Sequence, residues 1–225
     1  LGETNNPEWK TVAFDETSES VVVPHGSVGF RWGEKGKWNL EERDADGRET
    51  NLRLTLENAH DEFVDVSFPY FGNIDHDHFV SDAHPSVLER RVPVKKLQLA
   101  DGEVLVATVF DLFVANYGVD RGFGGSHVAK SYDENVPYTP AWAEKITGVP
   151  RDQIITVARE FALNAEKTKG RSMVIIGAAM NHWYHSDMNY RGVINMLVMC
   201  GCVGQSGGGW SHYVGQEKLR PQSGW

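Results

Sequence analysis

The stretch Met173-Val174-Ile175-Ile176-Gly177 constrains this chain more than any other. Four apolar residues in a row, three of them β-branched and closed by glycine, read as a strand of the kind buried in parallel sheets. A helical pattern precedes it, from about Arg151 to Asn164. There Ile154, Ile155, Ala158, Phe161 and Ala162 fall on one face and polar residues on the other. A second helix follows at roughly Asn189 to Cys200, and then a glycine-rich loop. Helix, strand, loop and helix in that order is the pattern of an α/β layer.

The rest of the chain reads differently. Ser20-Val21-Val22-Val23 is a short strand that stops at Pro24. Segments 37–42 and 51–56 flank Asp44-Ala45-Asp46-Gly47, and Leu52, Leu54 and Leu56 alternate with polar residues. That is a hairpin signal with its turn at Asp46-Gly47. A second hairpin runs from Val94 to Leu99, turns at Asp101-Gly102 and returns through Val104 to Thr108. Thr108 and Asp111 then open a helix that ends before Gly118. Thr139 and Pro140 open another that stops at Gly148, with Thr139 as cap and Pro140 in the first helical position. The fold class expected is therefore α/β, with a β-hairpin and loop-rich part over 1–108 and an α/β part over 109–225.

Composition excludes some partners. Of the 225 residues, 22 are Lys or Arg and 31 are Asp or Glu, a net charge of -9. An acidic surface repels a phosphate backbone, so no nucleic-acid partner is expected. No apolar run approaches the roughly 20 residues that span a bilayer. Cys200 and Cys202 sit at i and i+2, where a disulfide would be badly strained, and read as reduced thiols. Arg90-Arg91 reads as a solvated surface pair rather than an export signal, because no apolar region follows it. The chain begins at Leu1 and stops at Trp225, and neither end reads as a natural terminus; no targeting signal can be read from it.

Ligands of an open α/β sheet gather at the carboxyl ends of its strands. Here that place is the stretch 177–185. Gly177, Ala178 and Ala179 are small enough for a flat ligand to approach the backbone. Asn181 and His182 then offer amide and imidazole hydrogen bonds that suit the edge of a heterocycle. The alternative is a polar loop before a helix, with Ser186 or Asp187 as cap. Gly204-Gln205-Ser206-Gly207-Gly208-Gly209 could form an anion nest, with Lys218 and Arg220 nearby, or simply a tight turn. Asp75-His76-Asp77-His78, with His84, carries metal-ligand types but reads better as a solvated acidic loop, so no metal site is expected. Ser206, Ser211 and His212 make no recognisable catalytic triad.

Longer strings carry a resemblance. The segment 138–150, from Tyr138-Thr139-Pro140-Ala141-Trp142 to Gly148-Val149-Pro150, with Ala158-Arg159-Glu160-Phe161-Ala162, resembles a helix pair of the dimethyl sulfoxide reductase family of molybdopterin oxidoreductases. Within that family three stretches resemble the catalytic subunits of respiratory nitrate reductases. These are 29–40 (Gly29-Phe30-Arg31-Trp32-Gly33 onward), 181–192 (Asn181-His182-Trp183-Tyr184-His185 onward) and 200–221 (Cys200-Gly201-Cys202-Val203-Gly204 onward).

The resemblance implies mixed α/β domains around a bis-molybdopterin guanine dinucleotide cofactor carrying molybdenum. It implies cofactor contacts at Gly177, Ala178, Asn181 and His182, and at Gln216 near the pterins. It implies reduction of nitrate to nitrite, with electrons from quinol arriving through a membrane gamma subunit and an iron–sulfur beta subunit, at the cytoplasmic face of the membrane. The family's 4Fe-4S cluster needs one His and three Cys, which two closely spaced cysteines cannot supply. Its molybdenum-ligating aspartate lies in an earlier segment. The expectation is therefore an internal section that contributes no catalytic or metal-ligating residue of its own. Nitrite oxidoreductases and other oxyanion reductases of the family are the alternatives, and outside enzymes a non-catalytic cofactor-binding scaffold.

Overall fold

The computed structural model describes residues 12–25, 43–44, 46–70 and 86–212. The chain divides into two compact units, Leu1–Trp142 and Ala143–Trp225.

In the first unit, strands β1 (Ala13–Asp15) and β2 (Ser20–Val22) form a small hairpin. Asp15 holds its turn by accepting from the Ser18 hydroxyl and from the backbone N–H groups of Thr17, Ser18 and Asn51. The Ser18 hydroxyl bond, then the Asn51 N–H, do most to pull its carboxyl pKa down to about 2. Strand β3 (Pro24–His25) pairs with β4 (Arg43–Asp44). The Asp44–Arg48 turn forms as its sequence predicts, with Gly47 at φ +81°. The segment after it does not return as a regular strand. Leu52 makes only an isolated bridge to Asp15, Leu54 is exposed and Leu56 is buried. Leu56 is turned inward because its N–H is taken by the side chain of Asp111, not by a strand partner.

The main sheet is β5 (Glu62–Tyr70), β6 (Ser86–Leu99) and β7 (Gly102–Val106), antiparallel throughout. The β6–β7 hairpin lies where Asp101-Gly102 predicts it. Every second residue of β6 faces inward: Leu88, Arg90, Val92 and Val94 are all buried. Arg90 is 1% exposed, which corrects the expectation of a solvated Arg90-Arg91 pair. The two-residue period of the strand turns Arg90 in while Arg91 turns out to Asp65. Helix α1 (Val109–Asn116) follows, capped by Thr108, whose hydroxyl accepts from the Asp111 N–H at 3.0 Å.

Helix α2 (Pro140–Thr147) has the predicted cap: Trp142 N–H donates to the Thr139 hydroxyl at 3.1 Å. In the second unit, helix α3 (Arg151–Thr168) runs a turn beyond the sequence estimate. The extra turn brings Ala165 into a core with Leu197 and Cys202, and Phe161 packs against it. Ala158 and Ala162 stay exposed, so the buried face is narrower than predicted.

Strand β8 (Met173–Ile176) pairs in parallel with β9 (Gly209–His212), in register Met173↔Gly209 to Ile176↔His212. Parallel pairing agrees with expectation, but burial on both faces does not. Ile175 is 79% and Met173 44% exposed, because only one face of this two-stranded sheet packs on the described core. Helix α4 (Ala178–Asn181) is a single turn, and helix α5 (Ser186–Met199) starts three residues before its predicted first residue. Among the described residues no helix is long and apolar enough to cross a membrane.

Candidate functional site

The carboxyl ends of β8 and β9 lie side by side, since Ile176 and His212 are partners in the ladder. The chain leaves β8 at Gly177, which is extended at φ −101° and ψ −179°. No atom lies within 4 Å of where a Cβ on Gly177 would stand, so its backbone is open to close approach. Ala178 to Asn181 then make the one turn of α4. His182 closes that turn, its N–H donating to the Ala179 carbonyl at 3.4 Å, with its side chain in the open. The stretch predicted as a loop is thus a tight helical turn that sets Asn181 and His182 next to each other after the strand.

Neither Ser186 nor Asp187 caps α5. His185 holds that position in the left-handed region at φ +57°, with no side-chain cap bond, and its ring packs 4.0 Å from that of Tyr184.

Three aromatic residues gather near the same strand ends. Tyr190 on α5 lies 4.9 Å from the ring of Trp210 and 5.7 Å from that of His212, and Trp210 stacks on His212 at an interplanar angle of 12°. Trp210 and His212 share one face of β9 by the two-residue period of a strand. That spacing was readable in the sequence; the approach of Tyr190 was not, because it depends on how α5 lies over β9.

Two polar atoms in this region are buried without a partner, Asn181 Oδ1 and the Tyr190 hydroxyl. A buried polar group left unpaired costs roughly 1–3 kcal/mol. The terminal torsion of Asn is soft, so its amide can turn to meet a ligand. An open glycine backbone, an unpaired amide oxygen and an exposed imidazole can meet a flat heterocycle rich in donors and acceptors.

The glycine loop is a turn rather than a nest. Gly208 N–H donates to the Gln205 carbonyl and Gly209 N–H to the Ser172 carbonyl, both at 3.0 Å, so these donors are already used. A hollow of about 460 Å³ lies between α5 and this loop, walled by Ile194, Leu197, Val203, Gln205 and Trp210. None of Gly177, Ala178, Asn181 or His182 lines it. Gln216, Lys218, Arg220, the Asp75–His78 stretch with His84, and 29–40 lie outside the described residues.

A family model described as molybdopterin oxidoreductase matches residues 42–220. Across 100% of its length the chain is 64% identical to the respiratory nitrate reductase 1 alpha chain of Escherichia coli (strain K12), of which the match covers 18%. It is 46% identical, over 99% of its length, to the nitrate reductase alpha chain of Bacillus subtilis (strain 168), covering 17% of that protein. It is 36% identical, over 55% of its length, to the perchlorate reductase subunit alpha of Dechloromonas aromatica (strain RCB), covering 11% of it. The chain therefore spans less than a fifth of the length of these relatives. The family model covers most of the chain and the relatives match it along its length: the chain belongs to the molybdopterin oxidoreductases.

Proposed function

We propose that this chain is part of the catalytic subunit of a molybdenum-dependent nitrate reductase, and that the 177–182 turn is its contact with the cofactor. The observation that carries the reading is the 64% identity along the whole chain to a respiratory nitrate reductase alpha chain. When bound, a bis-molybdopterin guanine dinucleotide with its molybdenum supplies the oxygen-atom transfer that turns nitrate into nitrite. The residues of this chain position it. Gly177 and Ala178 leave room for close backbone approach. The Asn181 amide pairs with the heterocycle edge, where its Oδ1 gains the donor it lacks. The exposed His182 imidazole makes a second hydrogen bond at the pterin edge. Gln216 is assigned to the same contact by resemblance to the family.

The wider assembly follows from the same reading. A 4Fe-4S cluster in the parent subunit, an iron–sulfur beta subunit and a membrane quinol-oxidising gamma subunit deliver the electrons, at the cytoplasmic face of the membrane. The perchlorate reductase match supports a second reading, reduction of another oxyanion at the same kind of site.

Replacing His182 by alanine in the full-length parent tests the contact. The expected outcome is a roughly ten-fold or larger fall in cofactor retention or in dye-linked nitrate reduction, the scale of losing one orienting hydrogen bond at a metal cofactor. Full molybdenum and pterin content together with wild-type turnover would contradict it.

A further inference from the structure

His212 stands at the same strand ends as the 177–182 turn, but on the other strand. It is the ladder partner of Ile176, the residue before Gly177. Neighbouring strands lie about 4.8 Å apart, so the His212 backbone is one strand spacing from the place where the chain leaves β8. Ladder partners put their side chains on the same face, and the period of two adds Val174 and Trp210 to that face. Ile176 is 4% exposed, and Val174 and Trp210 pack against the core that Leu197 of α5 enters. His212 breaks the row: it is exposed.

The ring is held although it is exposed. Trp210 stacks on it at 12°, with centroids 5.9 Å apart, and the Tyr190 ring lies 5.7 Å away. Two aromatic neighbours restrict its rotamers, so less side-chain entropy is lost when it meets a ligand. A histidine ring carries hydrogen-bonding nitrogens on two sides, and among the described residues those of His212 meet no hydrogen-bond partner. A second atom of this cluster is short of a partner as well: the Tyr190 hydroxyl is buried and unpaired. Buried polar atoms are nearly always paired, so an unmet one marks a place where a further polar group belongs. If the ring served only to extend the Trp210 stack, both features would go unused.

We propose that His212 is a further contact to the molybdopterin cofactor, its imidazole hydrogen-bonding the heterocycle from β9 while the 177–182 turn holds it from β8. This rests on the reading that the cofactor lies at these strand ends. Trp210 acts through the imidazole and is a positioning residue.

Histidine footprinting of the full-length parent tests it. Diethyl pyrocarbonate is applied to cofactor-loaded and cofactor-free protein, and the labelled histidines are identified by mass spectrometry. The expected result is labelling of His212 in the cofactor-free protein and its loss in the loaded one. Equal labelling of His212 in both forms, with His182 protected by the cofactor, overturns the proposal and leaves the turn contact standing. Protection of His212 without protection of His182 supports the β9 contact and contradicts the one at the turn. Pterin release on heating, read by fluorescence, supplies the second measurement. His212→Ala should release pterin roughly ten-fold faster, the scale of one lost orienting bond, and His212→Gln, which keeps a donor and an acceptor, should stay nearer the parent. Parent-like release from His212→Ala overturns the proposal, and so does equal loss from both variants.

Discussion

Asp111→Ala is expected to destabilise the first unit by about 3–5 kcal/mol, the range for removing one member of a buried ion pair. Asp111 is 0% exposed and joins distant pieces of chain. Its Oδ1 accepts from the Thr55 hydroxyl at 2.5 Å and from Arg121 at 2.7 Å; its Oδ2 accepts from the Leu56 N–H at 2.8 Å and the Thr108 hydroxyl at 2.7 Å. Truncation strands all four donors at once. Arg121, 13% exposed and packed over the Phe123 ring, keeps only Glu57 as an acidic partner.

The pH dependence has a definite sign. Desolvation pushes the Asp111 carboxyl up, but the bonds from Leu56, Thr55, Arg121 and Thr108 together outweigh it and leave its pKa lowered. A group depressed on folding contributes fully above its unfolded value, about pH 4 for aspartate, and loses that contribution as pH falls through the folded value. Asp111→Asn should therefore flatten the acid limb of the stability curve. Limited proteolysis across pH, read at cleavages between 46 and 142, measures both effects. A loss below about 1 kcal/mol for Asp111→Ala, the level of an exposed pair, would contradict the role given to this network.

Gly208→Ala should be comparably severe in the second unit. An added Cβ would stand 2.1 Å from the Gly170 carbonyl oxygen and 2.8 Å from that of Cys202. Both are backbone atoms, so no side chain can swing aside. Overpacking of this kind costs about 1–3 kcal/mol or more. The damage should extend to β9, which starts at the next residue and carries Trp210 and His212. Gly192→Ala is the matched control: it lies inside α5, and nothing stands within 4 Å of its would-be Cβ. That change should be neutral or add about 0.5–1 kcal/mol through helix propensity. Thermal unfolding of the two variants side by side decides the matter, and equal midpoints would contradict the close backbone packing of Gly170 and Gly208.

What could be read from the sequence was local. Thr108 and Thr139-Pro140 mark their helices because a hydroxyl cap and a proline act within one turn. Asp101-Gly102 places its hairpin for the same reason. The β8 strand and its parallel pairing followed from an apolar run between two helical patterns. What escaped depends on distant partners. The inward turn of Arg90 is set by the strand period, but its tolerance there depends on carbonyls at Ser126 and His127. Leu56 is drawn inward by Asp111, 55 positions away. β9 hides in a glycine-rich stretch with little strand propensity and is held by its ladder to β8.

The candidate site divides the same way. Small residues followed by Asn181 and His182 could be read in the sequence as a candidate ligand contact. That they lie on a helical turn, near a cluster of Tyr190, Trp210 and His212, could not, because it rests on the packing of α5 against β9.

An experimental structure of the assembled, cofactor-loaded parent enzyme would settle the matter most directly. The expected picture has the Gly177 backbone against a pterin, with a ring nitrogen of His182 and the amide of Asn181 at hydrogen-bonding distance from its edge. A pterin bound elsewhere, with the 177–182 turn facing only protein or solvent, would contradict the assignment.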